Sequence, residues 1–268
     1  MSEHDAAVYA SLGTWIRRQL GIVFSADHQT QFVERLRRFT NSKGIGPADL
    51  LEALDRGDPV LTSELAEVMS TNYTFFMRET ETFEFLRKRV FPELPQGEIR
   101  IWSAATSSGD EAYTAAIYSF EHFGPEARTR VKILGTDISQ RQIQLAEAGC
   151  YPPEQLTLLD ATRRALWFNP VDKGRQYQVK PWLRDLCTFR RLNLTQTPWP
   201  FEQRFHVILL RNILYYMERP MCQSIFEHCY DVAAPGAWLL TSITEPLLDL
   251  ETRWERIAHA VYRKQGQA

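Results

Sequence analysis

The chain has 268 residues and only four cysteines, Cys150, Cys187, Cys222 and Cys229, none of them in a C-x-x-C pair. A structural zinc site or a disulfide framework needs tighter spacing, so they read as reduced thiols of a cytoplasmic protein. No apolar run approaches the roughly 18 residues of a membrane-spanning helix, and the opening MSEHDAAVYA lacks the basic start and apolar core of a secretory signal. An excess of one charge is missing too: 31 Lys and Arg against 33 Asp and Glu leave a net charge of −2. That balance gives no global reason to expect nucleic-acid binding or membrane insertion. Internal repeats and low-complexity tracts are absent, and a composition that is 44% hydrophobic and 24% charged is that of an ordinary globular chain.

What is present is concentrated between residues 98 and 120, EIRIWSAATSSGDEAYTAAIYSF. An apolar, β-branched run at Ile99-Arg100-Ile101-Trp102 passes through small residues from Ser103 to Gly109 and resumes as an amphipathic pattern after Asp110-Glu111. This reads as strand, tight loop and helix. Small residues let a ligand lie against the backbone, and the helix start offers unpaired N–H groups. The loop is neither G-x-G-x-x-G nor a P-loop. The next strand pattern, Val131-Lys132-Ile133-Leu134-Gly135-Thr136, stops at Asp137, with Ser139 placed to cap another helix. An acidic residue there is where a ribose diol is usually gripped, so the pair of features suggests a nucleoside-bearing cofactor.

Residues 1 to about 70 read as a small all-α domain. Val8, Leu12, Trp15, Ile16 and Leu20 recur at helical spacing before Gly21. A second helix is expected from about Asp27 to Phe39 with Ser25 as its cap, then short helices ending near Asp55 and running from about Thr62 to Ser70. The helical region carries Arg17, Arg18, Arg35, Arg37 and Arg38, which make either a solvated face or a docking surface for an acidic macromolecule. Residues 71–98 join it to the rest; their first part, NYTFFMRE from Asn72 to Glu79, is unusually aromatic for a linker and either lines a site or forms a seam between domains.

Residues 99–268 read as a doubly wound α/β domain. Residues 165–192 look like a small antiparallel β insertion, with strands around Ala165-Leu166-Trp167-Phe168, Tyr177-Gln178-Val179 and Cys187-Thr188-Phe189. The core pattern resumes at Phe205-His206-Val207-Ile208-Leu209-Leu210 and stops at Arg211-Asn212. A helix from about Arg219 to Val232, a strand from Ala237 to Ile243, and a last element within residues 257–262, strand or helix, complete the domain. The candidate ligand residues fall at the strands' carboxyl ends, where open α/β sheets bind ligands.

Taken in order, NYTFFMRE, IWSAATSSGDEAYT, LGTDIS, RRLNL and ILLRNILYYM followed by APGAWLL resemble the chemotaxis receptor methyltransferases of the CheR type. The resemblance covers almost the whole chain. It implies a Rossmann-like S-adenosylmethionine-dependent methyltransferase domain that esterifies glutamate side chains of a methyl-accepting receptor and releases S-adenosylhomocysteine. Carried onto this sequence, it places cofactor contacts at Asn72, Thr74, Arg78, Glu111, Asp137, Asn193, Leu194, Arg211 and Asn212, with Asn193 suited to the adenine edge. Arg78 and Tyr216 then stand at the reacting centre, and no metal is called for. The family's Gly-His-Ser-Glu run is echoed here only by Ser242 and Glu245. The turn around Asp172-Lys173-Gly174-Arg175 is shorter than in members that tether to a receptor's C-terminal peptide. Two other readings of the same pocket are a catalytically weak cofactor-binding adaptor and a methyltransferase for small carboxylic acids.

Overall fold

In the computed structural model, residues 3–23, 29–70, 72–245 and 250–266 are described. The chain opens with α1 (Glu3–Leu20), α2 (Gln29–Lys43), α3 (Pro47–Asp55) and α4 (Pro59–Met69). The expected start of α2 at Asp27 and its Ser25 cap lie outside the described residues. Helix α4 begins earlier than the apolar pattern suggests, because the Asp58 carboxylate accepts the Val60 and Leu61 N–H groups and Pro59 occupies the first turn. Leu12, Ile16, Leu36, Leu50 and Leu65 come together in a core with no solvent exposure, against which Ile138 from the rest of the chain also packs.

After the joining segment come α5 (Thr80–Phe85), β1 (Ile99–Ser103), α6 (Asp110–Phe123), α7 (Ala127–Arg130), β2 (Val131–Asp137) and α8 (Gln140–Ala148). Ser139 caps α8 through the Gln142 N–H, as its position in the sequence implies. The chain continues with β3 (Cys150–Tyr151), α9 (Ala161–Trp167), β4 (Phe168–Val171), β5 (Gln176–Val179), α10 (Pro181–Arg184) and β6 (Cys187–Arg191). It finishes with β7 (Phe205–Leu210), α11 (Arg219–Val232), β8 (Ala233–Thr241), β9 (Glu255–Ala258) and β10 (Val261–Arg263).

Seven strands form one sheet in the order β6-β2-β1-β7-β8-β10-β9; the first five run parallel and the last two are antiparallel additions. The continuous apolar runs of β1 and β7 bury both faces, one against α6 and its neighbours and the other against α11. This is the doubly wound α/β architecture expected, preceded by the helical region. The last element is a hairpin rather than one strand, turning at Ala260 with φ 59°.

The β insertion differs from the sequence reading in two places. Cys187–Arg191 belongs to the main sheet, parallel to β2 from Ile133↔Cys187 to Asp137↔Arg191. As an edge strand it buries only Phe189, so it carries the half-polar pattern of an antiparallel strand. The Phe189 ring packs over Gly135, where a Cβ would come within 2.6 Å of it. Ala165-Leu166-Trp167 is helical, because Asp160 accepts the Arg163 N–H at 2.7 Å and starts α9. The insertion is therefore the three-stranded sheet β3-β5-β4. Among the described residues no helix is long and apolar enough to cross a membrane.

Candidate active site

Because β2, β1 and β7 are adjacent, the loops leaving their carboxyl ends open onto a common space, and residues 72–79 enter it from the helical side. A cavity of about 670 Å³ results. It is lined by every residue singled out in the sequence: Asn72, Thr74 and Arg78 from the joining segment, Glu111, Asp137, Asn193 and Leu194, and Arg211, Asn212 and Tyr216 beyond β7.

Asp137 ends β2. Its Oδ2 accepts the Ser107 N–H and its Oδ1 the Ser139 N–H, both at 2.9 Å. Ser107 can turn its amide this way because it adopts φ 51° within the small-residue loop. Burial lifts the Asp137 carboxyl above its ordinary value, and these N–H groups pull it back. Each oxygen keeps lone-pair capacity beyond its backbone bond, the requirement for holding a diol.

Glu111 stands in the first turn of α6. Its Oε1 accepts the Ser103 hydroxyl at 2.7 Å and its Oε2 pairs with Arg211 at 2.8 Å. Burial raises this carboxyl, opposed by the Arg211 charge. Arg211, its side chain 1% exposed, also reaches Glu79 at 3.2 Å, donates to the Arg78 carbonyl at 2.8 Å and lies 5.0 Å from the centre of the Phe83 ring. It cross-links the elements of the cavity wall. Asn212 follows with φ 58°, its Nδ2 donating to Glu79 Oε1 and to Ser242 Oγ.

The Asn193 side chain differs from the sequence reading, which turned it toward an adenine edge. Its Nδ2 donates to the Gln19 carbonyl at the end of α1, and its Oδ1 accepts the N–H of Thr195, whose hydroxyl reaches the same Gln19 carbonyl at 2.8 Å. The amide staples the loop after β6 to the helical region, which leaves the backbone and Leu194 to face the cavity.

Arg78 lies at the mouth. One Nη donates to the Tyr73 carbonyl at 2.7 Å, and the guanidinium is 5.8 Å from the ring centres of both Tyr73 and Phe75. Tyr215 and Tyr216 follow β7 with ring centres 4.2 Å apart. Burial and the Tyr216 hydroxyl push the Tyr215 phenol up, against the pull of Arg78. The Tyr216 carbonyl accepts the Val23 N–H at 2.7 Å, tying this loop to the segment after α1. His206, by contrast, is half-buried in β7, where its Nδ1 accepts the Arg100 N–H.

The helical region supplies more of the cavity than its sequence suggests, through Leu20, Ile22, Gln31, Arg35 and Met69. Arg35, grouped in the sequence with the docking arginines, is half-buried and donates to the Met69 carbonyl at 3.1 Å. Arg17 pairs with Glu218 at 3.4 Å, while Arg18, Arg37 and Arg38 are exposed. Sequence reasoning also missed Glu79, whose partners lie well over a hundred residues away. A volume within the roughly 300–1,000 Å³ of small-molecule sites, with two carboxylates at Asp137 and Glu111 and apolar walls from Ile138, Leu192 and Leu194, has the size and chemistry for an adenosyl amino acid.

Fold and site together define an S-adenosylmethionine-dependent methyltransferase. Residues 72–262 match the family described as CheR methyltransferase, SAM binding domain, and the chain belongs to this family. It is 35% identical to the probable chemotaxis protein methyltransferase of Rhizobium etli over 68% of this chain and 70% of that one. It is 32% identical to the chemotaxis protein methyltransferase of Borreliella burgdorferi over 75% and 73%. Against chemotaxis protein methyltransferase 1 of Pseudomonas aeruginosa the identity is 29% over 91% of each. The cofactor is S-adenosylmethionine.

Proposed function

We propose that the protein esterifies glutamate side chains of a methyl-accepting chemoreceptor, with residues 1–70 as a receptor-facing helical domain, 71–98 as the segment closing the site and 99–268 as the transferase domain. The observation that carries this reading is the position of Arg78, a cation among aromatic rings at the open mouth of the cavity that holds Asp137 and Glu111. When bound, the cofactor supplies an electrophilic methyl carbon on a sulfonium. A glutamate carboxylate is already ionised near neutral pH, so the chain needs no strong base. What it contributes is alignment. Arg78 holds the incoming carboxylate, Tyr216 orients it, Asp137 and Glu111 grip the ribose and the ammonium group, and Asn72 and Thr74 complete the wall. The hold of Arg78 on the Tyr73 carbonyl and neighbouring rings moderates its grip, which keeps the nucleophile from being bound more tightly than its transition state.

The exposed Arg18, Arg37 and Arg38 fit an acidic receptor surface. The test is tritiated methyl transfer from S-adenosylmethionine to receptor-bearing membranes of the source organism, with the label released as methanol by alkali. Label that resists alkali, or no transfer to any receptor, would end this reading. Tight cofactor binding without turnover, insensitive to Arg78→Ala, is the outcome for an adaptor. For an enzyme of small acids, activity would survive loss of residues 1–65, although Leu20, Ile22 and Arg35 help to wall the cavity.

A further inference from the structure

Two non-glycine residues in the left-handed region, Glu79 (φ 54°) and Asn212 (φ 58°), meet at one carboxylate, that of Glu79. Its Oε1 accepts the Ser242 hydroxyl at 2.6 Å and the Asn212 amide at 3.0 Å. Its Oε2 accepts the Ile243 N–H at 3.1 Å and pairs with Arg211 at 3.2 Å. Burial alone would raise the group, yet Ser242, Asn212, Arg211 and Ile243 together bring it below its ordinary value. Four donors from two chain segments, following β7 and β8, thus converge on the residue next to Arg78.

Resting on the reaction just described, we propose that Glu79 is the positioning residue that holds Arg78 at the mouth of the cavity. It works from behind. Arg211, held by Glu79, clamps the Arg78 carbonyl with one nitrogen and Glu111 with another. Asn212, held by the other Glu79 oxygen, starts the loop that carries Tyr216. A carboxylate is required because it offers an acceptor site to each of the four donors. A glutamine offers two and turns N–H groups toward Arg211 or Ile243.

The test uses the full chain with Glu79→Gln, and Ser242→Ala as a milder variant that removes one donor. S-adenosylhomocysteine is the titrated ligand, receptor-bearing membranes are the methyl acceptor, and melting temperature checks the fold. Glu79→Gln is expected to bind S-adenosylhomocysteine within about threefold of wild type while kcat falls about tenfold or more, since small misplacement at a reacting centre is costly. Ser242→Ala should fall between the two. In an Arg78→Ala background Glu79→Gln should cost clearly less than in wild type, because the larger part of its effect runs through that guanidinium. Amide exchange measured with S-adenosylhomocysteine bound should quicken in residues 72–79 and 212–216, as well as at Ile243, whose N–H donates to Glu79, and stay unchanged elsewhere. A kcat within twofold of wild type, losses that add in the double variant, or unchanged exchange in those two segments would overturn the proposal. If wild type itself methylates no receptor, the functional reading fails, and the exchange data still decide whether Glu79 holds the segment.

Discussion

Asp137 and Arg211 are buried and Glu111 is half-buried, and each makes at least two bonds to other protein groups, whereas the rim around Arg78 carries Tyr73 and Tyr215 at 72% and 48% exposure. The inner half of the cavity has its dipoles fixed before anything binds, so a small ligand pays little reorganisation there. The outer half is open and aromatic, as suits an acceptor too large to enter. One cavity thus joins a preformed socket to an adaptable lip, and the two halves should respond differently to substitution.

The largest effect is expected inside. Asp137→Ala should weaken S-adenosylhomocysteine binding about 100-fold or more, because the Ser107 and Ser139 amides lose their acceptor and, on the proposed reading, so does the ribose. Calorimetry giving a loss under tenfold would break the comparison. At the lip, Arg78→Ala should lower kcat about 100-fold with cofactor affinity nearly unchanged. Equal losses in both assays would show that the halves are one unit. Smaller effects separate Arg35 from Arg38. Charge reversal at Arg38, which is exposed, should reduce receptor methylation about three- to tenfold and spare cofactor affinity. The same change at Arg35, which lines the cavity, should cost cofactor affinity a comparable factor.

The smallest effect is a pH dependence. Asp110 is fully buried at the start of α6, its Oδ2 accepting the Ser108 hydroxyl. Burial pushes it up to about 7 from 3.8, opposed by Ser108 and its own backbone. A carboxyl raised on folding adds stability below its unfolded value and loses that contribution as pH rises through the folded one. The melting temperature of Asp110→Asn should therefore gain on wild type as pH climbs from about 4 to about 7 and hold level above. A constant difference across that range would show that Asp110 ionises freely, and with it that the loop beneath the cofactor is wetter than its packing indicates.

Local chemistry made much of this legible. The strand, small-residue loop and helix around Ser103 to Gly109, and Asp137 at the end of the next strand, are contiguous patterns that fold as read. The misreadings share a cause: the deciding contact comes from elsewhere in the fold. Residues 187–191 show an edge strand's half-polar alternation, and only pairing with β2 makes them parallel. The Asn193 amide finds Gln19, and Arg35 finds Met69, across gaps that periodicity cannot bridge. Asp160 is a readable cap for Ala161–Trp167, but the aromatic Trp167-Phe168 pair reads as strand when taken alone. Glu79 left no local mark at all; a left-handed glutamate is recognised only once Ser242 and Asn212 are seen to hold it.

The stitches between Val23 and Tyr216, and from Asn193 and Thr195 to Gln19, mean that the helical region cannot be exchanged as a detachable module. A chimera that trades residues 1–70 for a relative's must bring a matching end of α1, or refit residues 193–217 to receive it. Grafts joined only at the linker should keep their grip on the cofactor's sheet-facing side and lose turnover, and restoring the seam at Gln19 and Val23 should recover it.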